Sequence, residues 1–165
     1  MQSILSTMAR ETSALQREIR QNRPFGSLHQ EATLGVLRTA DLIRRRISAV
    51  VERYGVTLQQ FNVLRILRGA GGPLPTLEIG ERMVEQAPGV TRLLDRIEAK
   101  GWVARERCAE DRRQVLVTIT PAGLELLARM DDTVEGEDTE VLAMLDDAET
   151  ERLIELLDRV RAGLG

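Results

Sequence analysis

At 165 residues, 42% of them hydrophobic, the chain is long enough for one domain with a core of its own. Aromatics make up only 2% and charged residues 30%, and Leu, Ala, Glu and Arg dominate, a mixture that predicts a mainly helical fold and disfavours an all-β one. A net charge of -3 excludes a uniformly basic coat, no apolar run approaches the ~18 residues of a bilayer span, and one cysteine (Cys108) with one histidine (His29) excludes an intrachain disulfide or a CxxC metal site and starves a zinc or Ser-His-Asp centre of material.

Enzymatic chemistry and a cofactor are therefore not expected. The charge is segregated: residues 1–81 carry 11 basic and 7 acidic side chains, residues 82–113 carry 8 and 6, and residues 114–165 carry 4 and 13. The front and middle of the chain are free to face an anion. The N-terminus MQSILSTMARETSALQ has no charged region followed by an apolar one, so a cytoplasmic protein is expected.

Residues 3–20 place Ile4, Met8, Leu15 and Ile19 at helical intervals, a short amphipathic arm that Asn22 to Gly26 breaks. Ser27 with Gln30 has the spacing of a capping box and opens a helix of about seven turns through Leu34, Leu37, Ile43, Ile47, Val50, Val51 and Tyr54 to Gly55. Thr57 with Gln60 repeats that signature before LQQFNVLRIL, in which Phe61, Leu64 and Leu67 share a face, and Gly69 to Pro73 ends the helix. Thr76 opens a short helix, LEIGERM, a tight turn follows at Val84 to Gln86, and a second helix covers about 87–100, so this stretch reads helix, turn, helix. Val90, Leu93, Leu94 and Ile97 form its inward face, leaving Thr91, Arg92, Asp95 and Arg96 outward.

Beyond Gly101, Trp102–Arg107 and Gln114–Thr120 are β-branched and partly alternating, and CAEDRR between them predicts a two-stranded hairpin with a charged tip, a wing over about 102–120. Thr120 and Pro121 start a long helix whose apolar positions are Leu124, Leu127, Met130, Val134, Val141 and Leu145. Asp146 with Glu149 starts a last one, with Leu153, Leu156, Leu157 and Val160 as a stripe. The expected organisation is an arm and dimerisation helix over 1–56, a winged helix-turn-helix core over 57–120 and C-terminal dimerisation helices over 121–165.

The stretch APGVTRLLDRIEAKGW begins with small residues and carries Arg outward, as a helix does that must lie against a bulky anion. The major groove of DNA accepts one α-helix, with the N-terminal residues nearest the base edges. Pro88 suits a first turn, Gly89 removes a side chain where backbone approaches DNA, and the free N–H groups favour phosphate. Gln86, Thr91 and Arg92 are placed for bases or phosphates, and Arg96 for the backbone. Arg112 and Arg113, at the wing tip, can reach an adjacent minor groove, with Asp111 orienting an arginine beside them.

Residues 57–123 resemble the winged helix-turn-helix core of the MarR family of bacterial transcription regulators in LQQFNVLRIL, LEIGERM, VTRLLDRIEAKGWV, AEDRRQVLVTIT and TPAG. The flanking helices at 28–54 and 121–161 fit the dimerisation elements of that family. The resemblance implies a homodimer on a pseudo-palindromic operator of double-stranded DNA and a cleft where many members take small aromatic or phenolic effectors; a repressor is expected, with an activator as the other reading.

Other readings remain open at this level. The winged helix can serve instead as a protein-docking module. Cys108, near Arg105, Arg107 and Arg112, can act as a redox sensor or stand as an incidental wing residue. His29 is a ligand contact or a surface residue; Arg44, Arg45 and Arg46 can touch phosphate, but fan around a helix and better suit a solvated or intersubunit face; the acidic run 131–140 marks a partner surface or, more plainly, a solvated stretch that repels DNA from the wrong side. Arg92 and Arg96 can pair with Asp95 or Glu98 and merely solubilise their helix.

Overall fold

The computed structural model describes residues 12–85 and 89–165. The chain groups into two compact units, one up to Arg45 and one from Arg46 to Gly165. In the first, Ser13 accepts a hydrogen bond from the Gln16 N–H and opens α1, Ala14–Glu18, which is the part of the expected arm that falls within the described residues. The long helix α2 is Leu28–Glu52. The Ser27 hydroxyl accepts from the Gln30 N–H as the spacing requires, but the Gln30 side chain reaches past Ser27 to the Gly26 N–H at 2.7 Å. No described residue up to Arg45 is buried.

The core lies in the second unit. From α2 it takes Val50 and Val51, and Val56 follows. The full capping box at Thr57 and Gln60 opens α3, Leu58–Ala70, which contributes Phe61, Val63, Leu64 and Leu67. Two residues, Leu74 and Pro75, form β1, absent from the sequence reading; α4 follows at Thr76–Glu81 and α5 at Val90–Ala99. The hairpin strands are β2, Val103–Arg107, and β3, Val115–Ile119, in antiparallel register from Val103 opposite Ile119 to Arg107 opposite Val115. Leu74 pairs with Val117, so the expected two-stranded wing is a three-stranded sheet in the order β1-β3-β2. Pro75 is tolerated because β1 is an edge strand.

Helix α6, Pro121–Leu142, starts from Thr120, whose hydroxyl accepts from the Gly123 N–H and donates to the Gly101 carbonyl. Gly123, Leu126, Leu127, Met130 and Val134 are its buried face; Leu124, expected inward, is 42% exposed because the helix turns Gly123 rather than its neighbour toward the sheet. The box at Asp146 and Glu149 forms in full and opens α7, Asp147–Ala162, which buries none of its residues within this chain. No helix among the described residues is long and apolar enough to cross a membrane.

Charged side chains tie these elements laterally. Arg44 and Arg45 both pair with Asp41 one turn back on α2, and Arg46 pairs with Glu137 and Glu140 of α6. Arg68 of α3 reaches Asp131 at 2.8 Å. The basic triplet, expected on a solvated or intersubunit face, thus meets the acidic run through Arg46.

Candidate nucleic-acid interface

Helix α5 forms because Leu93, Leu94 and Ile97 repeat at helical spacing and all are buried, with Val90 half-buried at its start. Its outward stripe is exposed at Thr91, Arg92, Asp95 and Arg96. Gln86 and Pro88, expected at its N-terminus, lie outside the described residues. Gly89 is the N-cap residue, with φ at 84° and ψ at 42° and no side-chain hydrogen bond capping the helix. Among the described residues a Cβ there would meet nothing within 4 Å, so the restriction they show at this position is its left-handed backbone. Gly89→Ala is therefore expected to cost about 1–2 kcal/mol of stability, and Gly89→Asn less, because asparagine tolerates that conformation; thermal melts of both variants check this.

Gly89, Arg92, Leu93 and Arg96 line a depression of about 340 Å³ together with Gln59, the second residue of α3. Gln59 carries no motif, and the one signal for it in the sequence is its place in the first turn of the capped helix at Thr57. The wing-tip arginines stand elsewhere. Arg112 and Arg113 are exposed, and Arg113 borders a separate depression of about 660 Å³ between the wing and α4, lined also by Thr76, Leu77 and Glu78.

Asp111 orients the turn and not a guanidinium. Its carboxylate accepts from the Arg113 backbone N–H at 3.0 Å and from the Gln114 side-chain amide at 3.3 Å. An Asx-type bond to the backbone two residues on lies within reach of any tight turn, whereas an exposed guanidinium must lose conformational freedom to stay beside it. Cys108 is half-buried and donates its N–H to the Gln114 carbonyl, closing the hairpin.

Asp95 and Glu98 do not neutralise Arg92 and Arg96, because both carboxylates are engaged by Arg105 of β2. Arg105 Nη2 lies 2.7 Å from Asp95 Oδ1 and 2.6 Å from Glu98 Oε2, and its Nε lies 2.9 Å from the same Glu98 oxygen. The hydrogen bond and charge of Arg105 hold the Glu98 carboxyl below its usual range. Since that value is depressed by folding, the bridge contributes at neutral pH and is lost on acidification through the folded-state value. Arg92, Arg96, Arg112 and Arg113 make no ion pair among the described residues. At the other end of α5, Lys100 is held in place, its Nζ 4.4 Å from the Trp102 ring centroid and donating to the Gly55 carbonyl at 2.8 Å.

The family model for the MarR family matches residues 54–114, from the end of α2 to the wing tip. The chain is 30% identical over 159 residues to the HTH-type transcriptional regulator PecS of Dickeya dadantii, spanning 93% of this chain and 95% of that protein. The chain belongs to the MarR family. It is a DNA-binding transcriptional regulator and not an enzyme. Among solved structures, a MarR transcription factor from Planctomyces limnophilus is 37% identical with a TM-score of 0.63, covering 82% of this chain and 98% of that one. A mutant MarR from E. coli, complexed with operator DNA, is 28% identical with a TM-score of 0.71, covering 81% and 98%.

Proposed function

We infer that this MarR-family regulator acts in the cytoplasm as a homodimer, laying one α5 in each of two successive major grooves of a pseudo-palindromic operator, with the wing tips in the flanking minor grooves, and that it acts as a repressor. The observation that carries this reading is a set of exposed guanidinium groups with no ion pair among the described residues: Arg92 and Arg96 on the outer stripe of a helix whose N-cap, Gly89, has no side chain to cap it, and Arg112 and Arg113 at the wing tip. An uncapped N-terminus presents N–H groups and the positive end of the helix dipole to a phosphate. The relative from E. coli that resembles this chain is complexed with operator DNA, which supports the same docking mode here.

What single-chain packing leaves uncovered supports the homodimer. On α7, Ile154, Leu156 and Val160 are 53%, 43% and 55% exposed, and Leu28, Val36 and Leu37 of α2 are similarly bare. A 16-residue helix that buries nothing is marginal in water on its own. A dimer is expected in sedimentation at micromolar concentration, and a monomer there would remove the two-half-site geometry.

The functional test is fluorescence anisotropy on the duplex upstream of the protein's own gene against scrambled duplex, backed by selection from a random-sequence pool, at two salt concentrations. Sequence-dependent binding is expected, with log K falling by about 0.9 per phosphate neutralised for each decade of salt. Salt-insensitive binding, or no sequence selected from the pool, would return the winged helix to a protein-docking role. In the same assay Arg112→Ala with Arg113→Ala is expected to weaken operator binding about tenfold or more with unchanged secondary structure.

A further inference from the structure

We propose that Arg105 is a positioning residue that locks the wing to the recognition helix, so that the wing-tip arginines strengthen DNA binding only while its bridge to Asp95 and Glu98 is intact. This rests on the DNA-docking reading of α5 and the wing given above. Arg105 sits at the middle of β2, opposite Val117 of the central strand β3, so its backbone is fixed by the sheet. Its guanidinium grips two carboxylates spaced three residues apart on α5, at 2.7 Å and 2.6 Å, with a second nitrogen on Glu98 at 2.9 Å. One planar group held at two points along a helix fixes both the rotation and the slide of that helix against the strand, which a single contact does not.

Among the described residues the tip itself has no comparable anchor to α5. Its side-chain hydrogen bonds run within the turn, from Arg113 and Gln114 to Asp111. The placement of Arg112 and Arg113 relative to Arg92 and Arg96 thus depends on how β2 is held against α5, where Arg105 stands at mid-strand. Two contacts that must reach neighbouring grooves together reinforce each other only if the distance between them is held. A wing free to shift against α5 loses that reinforcement although its charge is unchanged.

The test is a set of double-mutant cycles on operator duplex, comparing the loss caused by Arg112→Ala with Arg113→Ala in three backgrounds: the intact chain, Arg105→Ala, and Asp95→Asn with Glu98→Gln. The last two break the same bridge with opposite changes of charge. The expected result is a loss of about tenfold or more in the intact chain, shrinking to about twofold or less in both bridge-broken backgrounds. Thermal melts identify any variant that fails to fold, and the two routes keep the test open if one does. An undiminished loss in the broken backgrounds overturns the coupling alone. Opposite shifts in the two backgrounds mean that Arg105 acts through charge and overturn it as well. A wing-tip substitution without effect in the intact chain overturns both the coupling and the wing's role at DNA.

Discussion

Replacing Gly123 by alanine is expected to destabilise the protein by about 1–3 kcal/mol. A Cβ at this position would lie 2.4 Å from the Trp102 carbonyl oxygen, 2.8 Å from Ile119 Cγ1 and 3.2 Å from the Trp102 carbonyl carbon. Two of these atoms are backbone, so no rotamer change relieves the clash. The Trp102 carbonyl is also committed, accepting from the Thr120 N–H at 3.0 Å, while the Thr120 hydroxyl holds the Gly101 carbonyl at 2.7 Å. The start of α6 must therefore move away from the base of β2, breaking bonds that fix both. For a chain of this length the cost corresponds to a fall in Tm of roughly 2–12 °C. An unchanged melt would mean that α6 does not approach the sheet this closely in solution.

The second large effect is expected at α5. Arg92 is the third residue of the helix and Arg96 follows one turn later on the same exposed stripe. The first turn of a recognition helix lies deepest in the groove and later turns track toward the backbone. Arg92→Ala is therefore expected to cost roughly 1–3 kcal/mol of operator binding and to relax the choice of base at one position. Arg96→Ala is expected to weaken all duplexes alike and to flatten the salt dependence by about one unit of slope. Anisotropy on the operator and on single-base variants, at several salt concentrations, separates the two. Equal, sequence-independent losses at both positions would move Arg92 to the phosphates.

Much of this architecture is legible in the chain because local rules and tertiary packing agree. The caps at Thr57 with Gln60, Asp146 with Glu149, and Thr120 with Pro121 all begin helices where the spacing puts them. The TPAG stretch has a physical meaning as well: a capping hydroxyl, a proline where no N–H is needed, and a glycine at the point of closest approach to Trp102. What the sequence hides is what depends on distant partners. Leu74 and Pro75 carry no period and become a strand only because Val117 and Leu116 lie beside them. Gly89 reads as a small residue facing DNA, yet its requirement is a left-handed backbone that no neighbouring residue announces. Arg105 sits seven residues from Glu98 with a loop between them, outside the helical spacings that reveal an ion pair in sequence. Its engagement also occupies Asp95 and Glu98, and Arg92 and Arg96 make no ion pair among the described residues.

The third strand changes what kind of object the wing is. An isolated two-stranded ribbon bends and twists readily and is marginally stable at best. Here β3 is held on both edges, by β2 along five residues and by β1 at Leu74 and Pro75, and only the seven residues from Cys108 to Gln114 extend beyond the sheet. In the docking mode proposed above, the wing would set a fixed offset from the helix, and a duplex whose groove does not meet the tip would have to deform. Sequences that narrow or flex easily at that point are then expected to be favoured over stiff ones, with selectivity at base pairs that no side chain of the protein touches.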